Sequence, residues 1–229
     1  MSIKDNLIKI KSQLPQNVAL VAVSKFHSAQ EVIDAIQAGQ NVFGENRVQE
    51  AAEKFDEVKK AFPDVQLRII GQLQRNKVKE AVRIAGAIDS VDRLELLDEI
   101  EKQAAKIDKK IQVLFEFHTG EESKSGFADP ALIMEALQKM KDGAYPHIEP
   151  RGFMTMAPFT EDKDLVRASF KKLRDLRDQC KKNFPDFDLS ELSMGMSGDW
   201  QIAVEEGSTM VRIGTAIFGE RDYSQAKKD

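Results

Sequence analysis

The stretch "ALVAVSKFHS" (19–28) begins as a buried strand, with small and β-branched apolar residues, and then breaks into Ser24 and Lys25. Lysine is among the side chains least willing to be buried. Either the strand reaches water there, or the amine is delivered to the mouth of a core. A lysine amine has an ordinary pKa near ~10.4 and is a poor nucleophile while protonated. Desolvation or a neighbouring cation favours the free amine, which can form a Schiff base with an aldehyde. Two later segments offer a seat for an anion. "MGMSGDW" (194–200) carries the glycine-flanked Ser197 directly before a helix that begins near Asp199. "RIGTAIFG" (212–219) carries Gly214, where backbone can approach an anion closely, and the hydroxyl of Thr215. Turn and capping roles are the competing reading for either segment alone.

The elements that must position these residues follow from hydrophobic periodicity. Short apolar runs alternate with amphipathic stretches along the chain. Strands are predicted at 18–24, 41–45, 66–71, 87–91, 111–118, 149–156, 187–194 and 208–214. Seven of the eight are followed by a recognisable helix. The first of these helices has Ser28 as N-cap, Glu31 completing a capping box and Gly39 as its stop. An additional amphipathic helix precedes the first strand, with Ile3, Leu7, Ile10 and Leu14 on one face. Alternation of this kind implies a parallel sheet. Eight strands in 229 residues favour an α/β fold of the closed (β/α)8 TIM-barrel type, as a single domain over 1–229, with a doubly wound open sheet as the alternative.

Barrel enzymes keep their chemistry at the C-terminal strand ends, and the loops after the seventh and eighth strands frequently bind phosphate. Ser24-Lys25, Gly44 to Arg47, Gly71, Ser90 and "HTGEESKSGF" (118–127) all fall at that end, as do the two anion loops. In "STMVRIG" (208–214), alternation sets Ser208, Met210 and Arg212 on one face and Thr209, Val211 and Ile213 on the other. Arg212 on an inward face would reach a ring or an anion at the mouth; on an outward face it would make a surface ion pair. A lysine and a phosphate pocket together suggest a phosphorylated carbonyl compound. Pyridoxal phosphate (PLP) and a sugar-phosphate aldehyde both fit.

Composition narrows the classes. With 34 basic and 38 acidic residues the formal net charge is −4, which argues against a nucleic-acid footprint. The basic run "QRNKVKEAVR" (74–83) reads as a solvated helix face rather than a second anion site. Cys180 is the only cysteine and lies in the helix-spaced series Val166, Phe170, Leu173, Leu176, Cys180, Phe184, so it is expected in the core. His27, His118 and His147 lack metal-ligand spacing, and no metal is expected. No apolar run approaches a membrane span and no leader peptide is recognisable, which points to the cytoplasm.

The segments "VAVSK", "FGENRVQE", "IGQLQRNK", "SKSGF", "LSMGMSGD" and "GSTMVRIGTAIFG", spread over residues 18 to 221, resemble the YggS/PROSC family of PLP-binding (PLP homeostasis) proteins. These are relatives of the barrel half of alanine racemase. The resemblance implies a (β/α)8 barrel with PLP as a Schiff base on Lys25, Asn46 beside the ring, and Ser197, Gly214 and Thr215 on the phosphate. It also implies that Arg212 faces the pyridine nitrogen, with Met194 and Met154 as apolar walls. A guanidinium only donates hydrogen bonds, so the ring nitrogen would stay unprotonated and the cofactor would be a weak electron sink. Two departures stand out: family members commonly carry His at Arg68 and Asn at His118.

Three functions are weighed. The first is a monomeric PLP-binding protein that buffers the cofactor or delivers it to PLP-dependent apo-enzymes, without robust turnover and without a catalytic residue. The second is a PLP-dependent racemase of low activity. Alanine racemases draw a catalytic tyrosine from a second β-domain, for which this chain is expected to have no room, and its only tyrosines are Tyr145 and Tyr223. The third is a Schiff-base aldolase, disfavoured because those enzymes place their lysine on a later strand.

Overall fold

The computed structural model describes residues 2–120 and 125–220. Eight parallel strands close into a barrel in chain order, and the eighth pairs with the first. They are β1 (Ala19–Val23), β2 (Val42–Glu45), β3 (Gln66–Ile69), β4 (Ala87–Val91), β5 (Ile111–Glu116), β6 (Ile148–Met154), β7 (Glu191–Ser193) and β8 (Met210–Ile213). Helix α1 (Ile3–Gln13) precedes the barrel. The outer helices are α2 (Ala29–Gln37), α3 (Val48–Ala61), α4 (Val78–Ile84), α5 (Leu94–Ala105), α6 (Pro130–Lys141), α7 (Lys163–Asn183), α8 (Trp200–Glu205) and α9 (Thr215–Phe218). The closed barrel agrees with the expected fold and excludes the open sheet.

Local sequence accounts for most boundaries. Ser28 caps α2 and exchanges hydrogen bonds with Glu31, while Gly39 adopts φ +85° just beyond its end. Val166, Phe170, Leu173, Leu176 and Cys180 form the buried stripe of α7. Burial pushes the Cys180 thiol up to about 12, as expected for a core thiol rather than a reactive one. Two elements depart from the expectation. Strand β7 is three residues long, because Phe187 turns aside to stack on Phe184 and the Asp188 carboxylate accepts the Ser190 amide. Helix α9 was not foreseen, since four residues are too few for apolar spacing to be legible.

Both faces of the strands are buried, as barrel strands require. Leu20, Ala22, Phe43, Leu67, Ile69 and Ile88 face outward into the hydrophobic core against the helices. The register pairs Val23 with Gly44, Gly44 with Arg68, Arg68 with Ala87, and Ala87 with Gln112, which gives the inward set. Arg68 is therefore inside the barrel. Its Nε donates to Asp89 Oδ2 at 2.9 Å and its Nη2 donates to Glu191 Oε2 at 2.7 Å, which spans from β3 to β7. Buried charges persist only when paired in this way. Gly152, at φ +148°, is required beside this cluster: a Cβ there would stand 1.9 Å from the Glu191 carbonyl oxygen.

Candidate functional site at the barrel mouth

Lys25 follows β1 by two residues, in a turn, and is half-buried. Val21 and Val23, the alternate β1 residues that precede it, face into the barrel. The residues on either side are held by a buried polar network. Ser24 Oγ donates to Glu45 Oε1 at 2.7 Å. From α3, the Lys54 ammonium donates to the Ser24 carbonyl at 2.7 Å, to Glu45 Oε1 at 2.8 Å and to Glu50 Oε1 at 3.3 Å. Glu50 Oε1 in turn accepts the Phe26 amide at 2.6 Å. Phe26 has φ +65°, a left-handed conformation that costs a non-glycine residue on the order of 1–3 kcal/mol. The Arg47 guanidinium lies over its ring, 5.4 Å from the centroid. Burial pushes the Glu45 carboxyl up, and Lys54 and Ser24 draw it back down.

Arg212 enters the same barrel from β8 and is buried. Its Nη1 donates to the Ser193 carbonyl at 2.7 Å and to Ser193 Oγ at 2.9 Å, and Nη2 donates to the Thr155 carbonyl at 2.9 Å. Three of its five N–H groups are thus engaged among the described residues, and the plane of the guanidinium is fixed. Burial lowers its pKa from the ordinary value, but arginine remains protonated in proteins. Glu116 ends β5 on the inward face and accepts Ser125 Oγ at 2.7 Å, while its Oε2 is buried without a hydrogen bond among the described residues. Desolvation pushes the Glu116 carboxyl up, Asp92 adds to this, and Arg212 opposes it.

The β7–α8 and β8–α9 loops meet on the rim. Gly214 caps α9, and Thr215, the first residue of that helix, is exposed. The first amides of a helix lie outside its own hydrogen-bond ladder. In the β7–α8 loop, Gly195 adopts φ +96°, and a Cβ there would stand 2.7 Å from Ala203 Cβ, so the position calls for glycine. The Met196 amide donates to Asp199 Oδ1 at 2.5 Å, and α8 starts immediately after Asp199. Ser197 is exposed and lines a cavity of about 160 Å³ together with Trp200, Ile213 and Ala216.

Of the expected site residues, Lys25, Arg212, Gly214 and Thr215 gather at the β1–β8 seam, since Val21 pairs with Arg212 and Ala22 with Ile213. Ser197 joins them through the neighbouring loop. Asn46 follows β2 on the adjoining side, packed so closely on Gly71 that a Cβ there would stand 2.7 Å from the Asn46 Cα. Met194 stands apart. It is fully buried in the outer hydrophobic core, whereas its neighbour Ser193 faces Arg212. Met154 is the inward methionine, in register with Glu116 and Ser193. Arg68 lies deeper in the barrel in its own ion cluster, and His118 is half-buried just past β5. Tyr145 bonds Asp98 away from the mouth, while Tyr223 and residues 121–124 of "SKSGF" and its loop fall outside the described residues.

Glu50, Lys54 and Glu116 were not singled out from the sequence, and Glu45 was placed at the mouth without a role. Glu45 and Glu50 stand in "FGENRVQE", but nothing in their spacing tells a clamp from a solvated helix start. Beside the mouth, a groove of about 880 Å³ is lined by residues that include Phe26, Asn46, Arg47, Glu50, Lys54 and Lys77. The lining mixes basic and acidic side chains. Among the described residues no cluster of His, Cys, Asp or Glu is arranged to hold a metal ion, and no helix is long and apolar enough to cross a membrane.

Comparison with known proteins supplies independent observations. Residues 1–222 match the family model described as alanine racemase, N-terminal domain. The pyridoxal phosphate homeostasis protein of Aquifex aeolicus is 39% identical over 89% of this chain and 87% of its own length. The human protein of the same name is 40% identical over 90% of this chain and 78% of its own length. PipY of Synechococcus elongatus, solved with PLP bound, aligns with a TM-score of 0.86 at 35% identity, covering 95% of this chain and all of PipY. Alanine racemase from Bacillus anthracis shares the fold alone, with a TM-score of 0.75 at 18% identity over 95% of this chain and 55% of the enzyme.

Proposed function

Since the chain belongs to the alanine racemase N-terminal domain family, with pyridoxal phosphate homeostasis proteins among its relatives, we propose that it binds PLP at the barrel mouth and acts in PLP homeostasis. One observation carries this reading: an amine and a helix start leave adjacent strands, Lys25 after β1 and Gly214-Thr215 after β8. PLP supplies an aldehyde and a phosphate, which suits that pair. In this reading Lys25 holds the aldehyde carbon, and Ser197, Gly214 and Thr215 hold the phosphate. Asn46 flanks the ring. Arg212, its plane fixed by Ser193 and Thr155, offers its remaining N–H groups to the pyridine nitrogen.

The same arrangement speaks against a racemase. A guanidinium partner leaves the ring nitrogen without a proton, so a carbanion would find little stabilisation. Buffering the cofactor, or passing it to PLP-dependent apo-enzymes as a monomer in the cytoplasm, needs no such stabilisation. The test is borohydride reduction of the purified protein with PLP, followed by peptide mass mapping. The expected result is a phosphopyridoxyl group on Lys25, absent from Lys25→Ala. A Lys25→Ala protein that binds PLP unchanged would overturn the assignment.

A further inference from the structure

We propose that Glu50 and Lys54 are positioning residues for Lys25, acting through the backbone of the two residues that flank it. The inference rests on the reading of Lys25 as the amine that condenses with PLP. An ion pair serving only to hold α3 against the barrel would be complete with Lys54 on Glu45, whose 2.8 Å contact is already buried. Instead, Lys54 directs one of its three N–H donors to the Ser24 carbonyl, and Glu50 directs its Oε1 to the Phe26 amide. These are the backbone groups immediately before and after Lys25. Ser24 is fixed a second time by its hydroxyl on Glu45 and a third time by its amide, which donates to the Gly44 carbonyl at 3.1 Å.

Such restraint has a physical reason. Phe26 is held at φ +65°, which side-chain-bearing residues seldom adopt and which persists only where the surroundings over-determine it. The 2.6 Å bond from the Phe26 amide to a carboxylate is a charge-assisted one, stronger than a neutral contact. Released from it, the turn would relax toward ordinary dihedrals and Lys25 would leave its bearing on the β8 loop. Condensation is sensitive to that bearing. The neutral Lys25 Nζ adds its lone pair to the aldehyde carbon, its two protons depart with the carbonyl oxygen as water, and a C=N bond remains. An amine displaced by about 1 Å loses on the order of 10²-fold in such a step.

The experiment uses the full-length apo protein mixed with PLP, following the growth of visible absorbance and the borohydride-fixed mass, with urea unfolding in parallel. Glu50→Ala is expected to slow adduct formation about 10- to 100-fold. Because the Glu50 side chain is 27% exposed, its removal strands no buried charge and the unfolding midpoint should move little. Glu50→Gln keeps an acceptor for the Phe26 amide and is expected to stay near the wild-type rate. Should Glu50→Ala fail to fold, Glu50→Asp draws the carboxylate back from the amide and is expected to show the same slowing. Wild-type kinetics in Glu50→Ala or Glu50→Asp, or a Glu50→Gln as slow as the truncation, would overturn the positioning role alone. A wild-type adduct mapped to a lysine other than Lys25 would instead overturn the reading on which it rests.

Discussion

Gly214 meets Val23 across the β8–β1 seam so closely that a Cβ on Gly214 would stand 3.1 Å from the Val23 carbonyl oxygen and 3.3 Å from its Cβ. The start of α9 is thereby pressed against the strand that presents Lys25. Any side chain at 214 must push the two apart by a few tenths of an ångström. Gly214→Ala is expected to weaken PLP binding about 10-fold, which corresponds to ~1.4 kcal/mol. Unphosphorylated pyridoxal should bind the variant and the wild type alike. Titration of both ligands by absorbance checks this, and equal losses for the two would sink a phosphate role for Gly214.

Arg68 tests the separation between barrel floor and mouth. Its charge is spent on Asp89 and Glu191, so Arg68→Ala strips the fully buried Asp89 carboxylate of its hydrogen-bonding cation and leaves Glu191 only Arg151, at 3.6 Å, among the described residues. A loss of about 3–5 kcal/mol in urea unfolding is expected. In the fraction that remains folded, the PLP dissociation constant should be nearly unchanged. A large change in affinity with intact stability would show that the ion cluster reaches the ligand after all.

Glu116 gives the protein a pH signature. Desolvation raises its folded-state pKa, so the fold holds this proton more tightly than the unfolded chain does. The stability it contributes is complete below the ordinary carboxylate range and is lost as pH rises through the raised value. Glu116→Gln abolishes that loss. The variant and the wild type should be equally stable at acid pH, with the variant the more stable at neutral pH. Chemical denaturation across the range from acid to neutral measures the difference, and a gap of opposite sign would refute the assignment.

Racemisation is tested directly by deuterium exchange. With PLP bound and a panel of L-amino acids in D2O, exchange at Cα should fall far below ordinary enzyme turnover, ~1–10³ s⁻¹. Proton NMR of the amino-acid pool reads the rate. Exchange within that range would replace the homeostasis reading with the racemase one.

The order of elements was legible because its causes are local. The Ser28–Glu31 capping box, the Cys180 stripe of α7 and the alternation of strand and helix each lie within a few turns of chain. The lysine after β1 and the glycine-bearing loops after β7 and β8 could likewise be picked out by residue type and strand number. What escaped was orientation and long-range pairing. Met194 and Ser193 are adjacent and both buried, yet one packs outward and the other meets Arg212. When both faces of a strand are buried, composition no longer tells inside from outside.

Lys54 reads in sequence as one more basic residue on an amphipathic helix. Its burial against Glu45 and the Ser24 carbonyl exists only once α3 lies across the ends of β1 and β2. A (β/α)8 barrel, a lysine just past its first strand and glycine-bearing loops after its last two are legible in the chain alone, because periodicity and residue type are properties of short segments. Which charges lie inside the barrel, and what holds the turn around Lys25, emerge only from how the elements pack. Both depend on contacts between separate elements: Arg68 on β3 meets Glu191 on β7, and Lys54 on α3 meets the Ser24 carbonyl after β1.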